Sequence, residues 1–460
     1  KLMLVSLCSI AAINDPMKLV NLSARLCVFQ NASLVEKISS YSDEVEDTLQ
    51  CLFSLYLFNE SYSWPKSFQD FLKRNRIQSS IFKTRSQGVT KSLRYFCKLN
   101  NFSSTEISSV IEHSLNSSWF KDKLEFHSTP ATTALAHLST YRDGHILAMD
   151  PSSALAVLNL CDNIHLAENE TAPHVLDLCC APGSKMALLD RLLVRNKLKF
   201  GDNQQESTHK SRNRVEYYTN GGSVTGVDIN KERLGAAVLL AKRFQLGRSR
   251  IFHCDSQAFN VKPIEIRDKH EFKDKVFKKG EMKIPSNEVN IKPLWSSTAF
   301  RKFPTRSLDD QLYDKILVDA QCTHDGSIKH IEKHIMSGWK EYKDEHFSLV
   351  SELETITLQL NLLKNGWNLL KPGGLLVYST CSMCYSQNEQ IISKFYQSLV
   401  KEERKYFQTE KPIFGPEESI VHFDIAIEKE FKHFYALRIK PHTIIGGGAF
   451  FLCRIRKICS

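Results

Sequence analysis

The stretch that decides the fold is Leu176-Asp177-Leu178-Cys179-Cys180-Ala181-Pro182-Gly183-Ser184-Lys185 (LDLCCAPGSK). An apolar run passes into a turn of small residues and then into a segment with helical spacing. That succession reads as a β-strand, a tight loop and the start of a helix. Small side chains in the loop let a ligand touch the backbone, and the helix N-terminus offers free N–H groups to a carboxylate. A glycine turn alone decides little, because ordinary strand–helix loops also use Gly. The order of the apolar runs around it carries the reading.

His174–Cys179 (HVLDLC), Ser223–Asp228 (SVTGVD), Arg250–Cys254 (RIFHC), Asp314–Asp319 (DKILVD) and Gly374–Ser379 (GLLVYS) are short apolar runs ending in polar or small residues. Lys185–Arg195, Lys231–Phe244 and Ser348–Leu370 lie between them with helical spacing. The alternation predicts an α/β fold, a Rossmann-like doubly wound sheet of mostly parallel strands covered on both faces. Two last runs, His433–Arg438 (HFYALR) and Ala449–Arg454 (AFFLCR), flank Gly446-Gly447-Gly448 and read as a C-terminal antiparallel hairpin. Ligands of such sheets sit beyond the carboxyl ends of the strands, so chemistry is sought there.

Asp228 ends the second strand, where a carboxylate can accept hydrogen bonds from ribose hydroxyls, and Asp255 closes the third. The pair suits an adenosine group with free hydroxyls and would repel a 2′-phosphate. The fourth strand ends in Asp319-Ala320-Gln321-Cys322-Thr323 and the fifth in Tyr378-Ser379-Thr380-Cys381-Ser382. In the proposed sheet, two thiols and a carboxylate converge at one rim. A thiolate is the best protein nucleophile near neutral pH. One Cys in a strand is usually inert, but two at neighbouring strand ends beside Asp319 read as a reaction centre. Cys381-Ser382-Met383-Cys384 is also a C-x-x-C. A closed zinc site needs four ligands, no second pair of matching spacing stands nearby, and His324 and His330 fall in a different loop, so no metal is expected.

Around this centre the chain is ordinary globular protein. Its 460 residues suggest two to four domains at roughly 150 residues each, and 42% hydrophobic with 24% charged residues excludes wholesale disorder. No run of about 18 apolar residues predicts a membrane span. The 13 cysteines are too scattered for a disulfide scaffold and suit a reducing, intracellular setting. Nucleus, nucleolus, cytoplasm and mitochondrion stay open. Leu2–Ile13 is apolar behind Lys1, but no small-residue cleavage site comes after it, and Asn14-Asp15-Pro16 reads as a turn after a buried helix. Residues 1–139 are expected to form an N-terminal helical or α+β region that binds RNA, and 140–460 the sheet domain. In the first part, Phe68–Arg76 (FQDFLKRNR) mixes cations and aromatics, which fits either an RNA-facing surface or a solvated helix face. Two polar insertions interrupt the second part, at 199–222 and at about 256–307. The latter holds twelve Lys/Arg against six Asp/Glu, +6 of the chain's net +10. It is either an RNA-gripping flap or a plain polar loop.

With these motifs in order, the chain resembles the Sun/Fmu-type RNA (cytosine-5) methyltransferases. The resemblance runs from Gly144-His145-Ile146-Leu147-Ala148-Met149-Asp150-Pro151-Ser152-Ser153 through LDLCCAPGSK, VDIN, HCD and DAQCTHDG. It continues with Leu370–Ser382 (LKPGGLLVYSTCS) and finishes at Gln387-Asn388-Glu389. It implies S-adenosylmethionine as cofactor, with Cys179, Cys180, Ala181, Pro182, Gly183, Ser184 and Lys185 around its methionine part. Asp228 would hold its ribose and Asp255 its adenine, with Arg233 and Asp319 supporting the pocket. It implies Cys381 as the nucleophile that adds to C6 of cytosine, Cys322 as the residue assisting product release, and Asp319 as the hydrogen-bonding partner of the base edge. The partner would be rRNA or tRNA with an unpaired cytosine, since the base must leave its stack to react. Two departures stand out. Gln321 replaces the family's usual Pro, which predicts a looser loop around Cys322, and Ser184 replaces the usual Gly.

The sequence supports two functions, an active RNA cytosine-5 methyltransferase or a catalytically inactive RNA-binding or assembly factor of the same fold. Gln321 and the insertions motivate the second, and retention of Cys322, Cys381, Asp228 and Asp255 argues for the first. A DNA cytosine methyltransferase would use a Pro-Cys nucleophile after the fourth strand and would leave the Thr380-Cys381 site unexplained.

Overall fold

The computed structural model describes residues 64–82, 93–99, 105–115, 117–121, 123–130, 133–161, 172–198, 222–266, 291–302, 305–308, 311–328, 330–331, 334, 339, 344–427, 430–441 and 448–459. Leu2–Ile13, Gly446-Gly447 and all but the last residue of the 199–222 insertion lie outside them. The chain divides into two compact units, one of Lys1–Ser92 with Ile328–Leu349, the other of Leu93–Ser327 with Val350–Ser460.

In the first unit, helix α1 (Lys66–Arg74) buries Phe68, Phe71 and Leu72. The Phe68 ring centre lies 5.3 Å from Trp339 and 4.8 Å from Phe347, and Phe71 lies 4.6 Å from Phe347. The spacing of Phe68, Phe71 and Leu72 makes one apolar stripe, which packs inward and leaves Lys73, Arg74 and Arg76 exposed. The aromatic residues of Phe68–Arg76 are therefore core, and only its cations are presented to solvent.

The second unit opens with strands β1 (Leu93–Lys98), β2 (His113–Ser114), β3 (Glu125–Pro130) and β4 (Ile146–Ala148), an antiparallel sheet in the order β2-β3-β1-β4. This small sheet spans the 139/140 position. Helix α2 (Pro151–Leu160) leads into β5 (His174–Asp177), α3 (Ser184–Leu198), β6 (Ser223–Asp228), α4 (Lys231–Arg243) and β7 (Ser249–His253). After β8 (Ile264–Ile266), β9 (Trp295–Ser296) and β10 (Thr305–Ser307) come β11 (Tyr313–Asp319), α5 (Leu349–Leu369), β12 (Leu370–Thr380) and α6 (Glu389–Ser398). The chain closes with β13 (Phe407–Glu410), β14 (Ile420–Ile427), β15 (Glu430–Ile439) and β16 (Phe450–Lys457).

The main sheet runs β14-β15-β16-β12-β11-β5-β6-β7-β9, with β13 paired to β16. The five strands from β12 to β7 are mutually parallel, as their near-continuous apolar composition requires. Side chains alternate between two cores. Val175, Val224, Ile251, Leu317 and Val377 join α2, α3 and α4 on one face. Leu176, Val227, Phe252, Ile316, Val318, Leu376 and Tyr378 join α5 and α6 on the other. The chain steps from β5 out to β6 and β7, then crosses back to β11 and β12. Strand order thus reverses between β5 and β11, and the crevice a ligand uses opens there, beyond the carboxyl ends.

One expectation is extended and one corrected. The C-terminal hairpin exists, with Leu437 opposite Leu452, but β16 also lies antiparallel against β12, with Cys453 opposite Tyr378. β13 and β14 extend this antiparallel half. The 256–307 insertion is not all loop, although 267–290 lie outside the described residues. Its flanks form a β8–β10 ribbon and the edge strand β9 on β7, for which Ile264, Ile266 and Trp295 supply the apolar contacts.

A buried polar staple holds α2 in place. Asn159 Nδ2 donates to the carbonyls of Leu155 and Phe414, both at 3.0 Å, and its Oδ1 accepts from the Ile413 amide at 2.8 Å. Asn159→Ala would strand these groups without water, at about 1–3 kcal/mol for each one left unsatisfied. We expect the variant's urea-unfolding midpoint to fall clearly below that of the unaltered chain.

Candidate active site

The turn after β5 is fixed by its neighbours. Gly183 has φ +106°, and a Cβ there would lie 2.8 Å from the Ala237 Cα, so the turn is pressed onto α4. The Ala181 amide donates to Asp228 Oδ2 at 3.1 Å, and Arg233 Nη2 donates to the Ala181 carbonyl at 2.8 Å. Asp228 Oδ1 accepts from the Asn230 amide at 2.8 Å. Arg233 thus steadies the turn from α4. Asp255 is exposed, and its loop is anchored by α5 through Asn365 Nδ2, which donates to the carbonyls of Ser256 (2.7 Å) and Phe259 (2.9 Å).

These features fit an adenosyl cofactor with a charged methionine end. Asp228 and Asp255 stand at adjacent strand ends, and Ile229, next to Asp228, is 64% exposed, an apolar surface suited to a purine face. Asp177 is fully buried; its Oδ1 accepts from the Cys179 amide at 3.1 Å, and its Oδ2 has no hydrogen-bond partner among the described residues. Burial pushes its carboxyl up to about 7. Cys180 packs inward against Gly226, and burial raises the thiols of both Cys179 and Cys180 well above the ordinary value, so neither is a nucleophile. Lys185 reaches past the turn. Its ammonium donates to Asp319 Oδ2 at 2.6 Å and Ser153 Oγ at 3.3 Å. Burial disfavours that charge, but the Asp319 carboxylate outweighs it and holds Lys185 above its usual value. Asp319 Oδ1 accepts from Ser379 Oγ at 2.7 Å.

At the ends of β11 and β12 the two cysteines meet, with Cys322 Sγ 3.4 Å from Cys381 Sγ. His324 Nδ1 lies 3.0 Å from Cys381 Sγ and 3.7 Å from Cys322 Sγ. The sulfurs titrate as a pair. The hydrogen bond between them draws one thiol down and pushes the other up, against burial that disfavours charge on both, and His324 favours the thiolate. Cys322 is the thiol drawn down and Cys381 the one pushed up. The nitrogen and two sulfurs lie within 4.8 Å of one another, and among the described residues no fourth Cys, His or carboxylate joins them.

The loops are held in this register by Asp325. Its buried carboxylate accepts from Thr323 Oγ1, from Ser382 Oγ at 2.7 Å and from the Met383 amide at 2.8 Å, which ties the Cys322 loop to the Cys381 loop. A Cβ on Gly326 would lie 2.4 Å from the Cys381 carbonyl oxygen, so only glycine admits this approach. Gln387 Oε1 accepts from the Thr323 amide at 3.2 Å, and Gln359 Nε2 donates to the Gln321 carbonyl at 2.9 Å. The loop expected to loosen for want of a proline is therefore tied from α5 and from the turn before α6. Cys384 Sγ lies near Asp325, 3.7 Å away, and is not part of the sulfur pair. His324 and Asp325 lie within this cluster, and sequence reasoning alone did not assign them to it. A signal exists in Cys322-x-His324, a thiol and an imidazole on one side of a tight loop.

A carboxyl with a raised folded value stabilises the fold below its unfolded value and loses that contribution as pH rises through about 7. Asp177 therefore costs stability on the order of 4 kcal/mol at alkaline pH. Asp177→Asn should unfold at higher urea than the unaltered chain at about pH 8, and the gain should disappear near pH 4. Equal gains at both pH values would contradict the raised carboxyl.

Residues 286–455 match the family described as 16S rRNA methyltransferase RsmB/F. The chain is 28% identical over 324 residues to the probable ribosomal RNA small subunit methyltransferase B of Bacillus subtilis, covering 69% of this chain and 49% of that protein. It is 28% identical over 226 residues to the multisite-specific tRNA:(cytosine-C(5))-methyltransferase trm4b of Schizosaccharomyces pombe, covering 49% of this chain and 26% of that one. The chain thus spans half or less of the length of these relatives. The crystal structure of PH0851 shares the fold, with a TM-score of 0.50, 17% identity and coverage of 92% of this chain and 72% of its own. The likeness to the RsmB/F family is thus carried by residues 286–455, and the chain more widely is similar to RNA methyltransferases of this type.

Proposed function

We propose that this chain methylates C5 of an unpaired cytosine in rRNA or tRNA through a covalent adduct on Cys381. The observation that carries the reading is the 3.4 Å approach of Cys322 and Cys381 beside Asp319, at the rim where the sheet's strand order reverses. C5 of cytosine is a poor carbon nucleophile. Addition of the Cys381 thiolate to C6 pushes electron density onto C5, which can then accept a methyl group. The turn after β5 with Asp228 and Asp255 would hold S-adenosylmethionine, which would supply the methyl group. Asp319, held by Lys185 and Ser379, faces the base edge and shares a proton with N3, which neutralises the negative charge that develops there. Cys322 then removes the C5 proton, the Cys381–C6 bond breaks, and the ring regains its double bond.

The exposed cations of α1 and the Lys/Arg-rich 256–307 segment support an RNA-holding role for the N-terminal region and the insertion, through phosphate neutralisation. Incubation with labelled S-adenosylmethionine and total RNA tests the reading. The unaltered chain should transfer label, and Cys381→Ala should reduce transfer to background. Cys322→Ala should accumulate a slow-migrating protein–RNA adduct that Cys381→Ala lacks. RNA binding without any transfer would favour the inactive factor and overturn the proposal.

A further inference from the structure

The family resemblance accounts for two sulfurs and a carboxylate, but not for the imidazole that touches both sulfurs. His324 lies two residues beyond Cys322 and sits in the left-handed region, with φ +54°. Among residues with a side chain, Asn, Asp and His adopt that conformation most readily. Here the turn brings Nδ1 to 3.0 Å from Cys381 Sγ and 3.7 Å from Cys322 Sγ. We propose that His324 is the cation that keeps one negative charge on the Cys322–Cys381 pair at neutral pH. The assignment rests on the methyl transfer proposed for this site and adds to it the residue that makes the thiols ready.

The surroundings agree. Burial lowers the imidazole's affinity for a proton, yet the Cys322 sulfur and, more weakly, Asp319 outweigh that loss and raise it. The other groups facing the trio are Asp319 of β11 with Lys185 of α3, Asp325 on the same loop, and Arg233 of α4, which opposes the imidazole's charge. Tyr378 faces it as a neutral group, pushed up by burial. Lys185 is engaged with the Asp319 carboxylate, and Arg233 with the Ala181 carbonyl. Of these cations only His324 lies in contact with the sulfurs.

The proton balance closes. At rest the imidazole is protonated, and the sulfur pair holds one proton and one negative charge. The proton crosses the gap from Cys381 to Cys322, breaking one S–H bond and forming the other. The freed electron pair of Cys381 bonds to C6, and the C5–C6 π pair moves to C5, which takes the methyl group. Cys322, still beside the imidazolium, releases its proton to solvent and as a thiolate takes the C5 proton. The C6–S bond breaks, and the trio returns to its starting state. One proton leaves for each methyl group transferred, which matches the positive charge lost by the donor. His324 never gives up its own proton.

The test reads thiol ionisation and needs no RNA. The full chain is treated with iodoacetamide across a pH series, and alkylation is tracked on the peptides carrying Cys381 and Cys322, with exposed Cys459 as internal standard. His324→Asn removes the charge while suiting the left-handed turn, and His324→Gln is read beside it. In the unaltered chain, alkylation of the pair should persist well below the ordinary thiol range of about 8.5. Both variants should react about tenfold or more slowly near pH 6.5 and converge on the unaltered chain near pH 9. Methyl transfer by His324→Asn should likewise be weak at neutral pH and recover as pH rises, a recovery that mere misfolding would not give. Profiles that superimpose, or a defect equally deep near pH 9, would overturn the role of His324. If the profiles shift but the unaltered chain methylates no RNA, the ion pair stands and the proposed reaction falls. If transfer and the Cys322→Ala adduct occur with superimposed profiles, the reaction stands and His324 is displaced from it.

Discussion

The site depends on one buried carboxylate. Asp325 is fully enclosed, and burial alone would drive it toward the neutral form, raising it above its usual value despite the donors gathered around it. Those donors come from both strand-end loops, the hydroxyl of Thr323 from one and the hydroxyl of Ser382 with the amide of Met383 from the other. A buried anion that accepts from two loops fixes their separation far more narrowly than apolar packing could, because losing any donor leaves charge unpaired. The contact between the sulfurs results from that separation, and so does the narrow passage that Gly326 alone can fill.

The Gln387-Asn388-Glu389 triplet extends the same constraint outward. Gln387 receives the Thr323 amide, Asn388 Oδ1 accepts from Thr380 Oγ1 at 2.6 Å while its Nδ2 donates to the Ser382 carbonyl, and Glu389 pairs with Arg438 of β15 at 2.7 Å. Arg438 Nη1 also donates to the Met383 carbonyl at 3.1 Å. A run of three polar residues just before a helix thus anchors the cysteine loop to the antiparallel half of the sheet. The resemblance marks these residues as significant, and the structure supplies a physical reason for each.

The parallel half of the sheet is legible because its strands carry apolar residues on both faces and end in Asp or small residues, a pattern independent of distant partners. Ser223–Asp228 has the same bounds in sequence pattern and in structure. The antiparallel half is only partly legible. β14 pairs with β15 and β13 with β16; β14 does alternate Val421, Phe423, Ile425 and Ile427 with His422, Asp424 and Ala426, a legible strand pattern, whereas four-residue β13 is too short to show a period. The basic, aromatic stretch around Phe68 misleads for another reason. Its aromatics find partners at Trp339 and Phe347, more than 250 residues away in sequence, and no local pattern announces contacts of that range.

Within the site, types of residue are legible and their pairings are not. Lys185 stands in the turn motif, yet its ammonium belongs to Asp319, because a long flexible stem lets the charge settle wherever a buried carboxylate needs it. The same electrostatics explains why this rim tolerates so many ionisable groups. Asp319 is balanced by Lys185, the thiolate by His324, and Asp325 by hydrogen-bond donors, so each buried charge meets its own counterpart. Asp177 is the exception, half-satisfied at the mouth of the cofactor turn. A buried carboxyl oxygen without a donor is expensive to keep as an anion, and burial accordingly pushes Asp177 toward its protonated form.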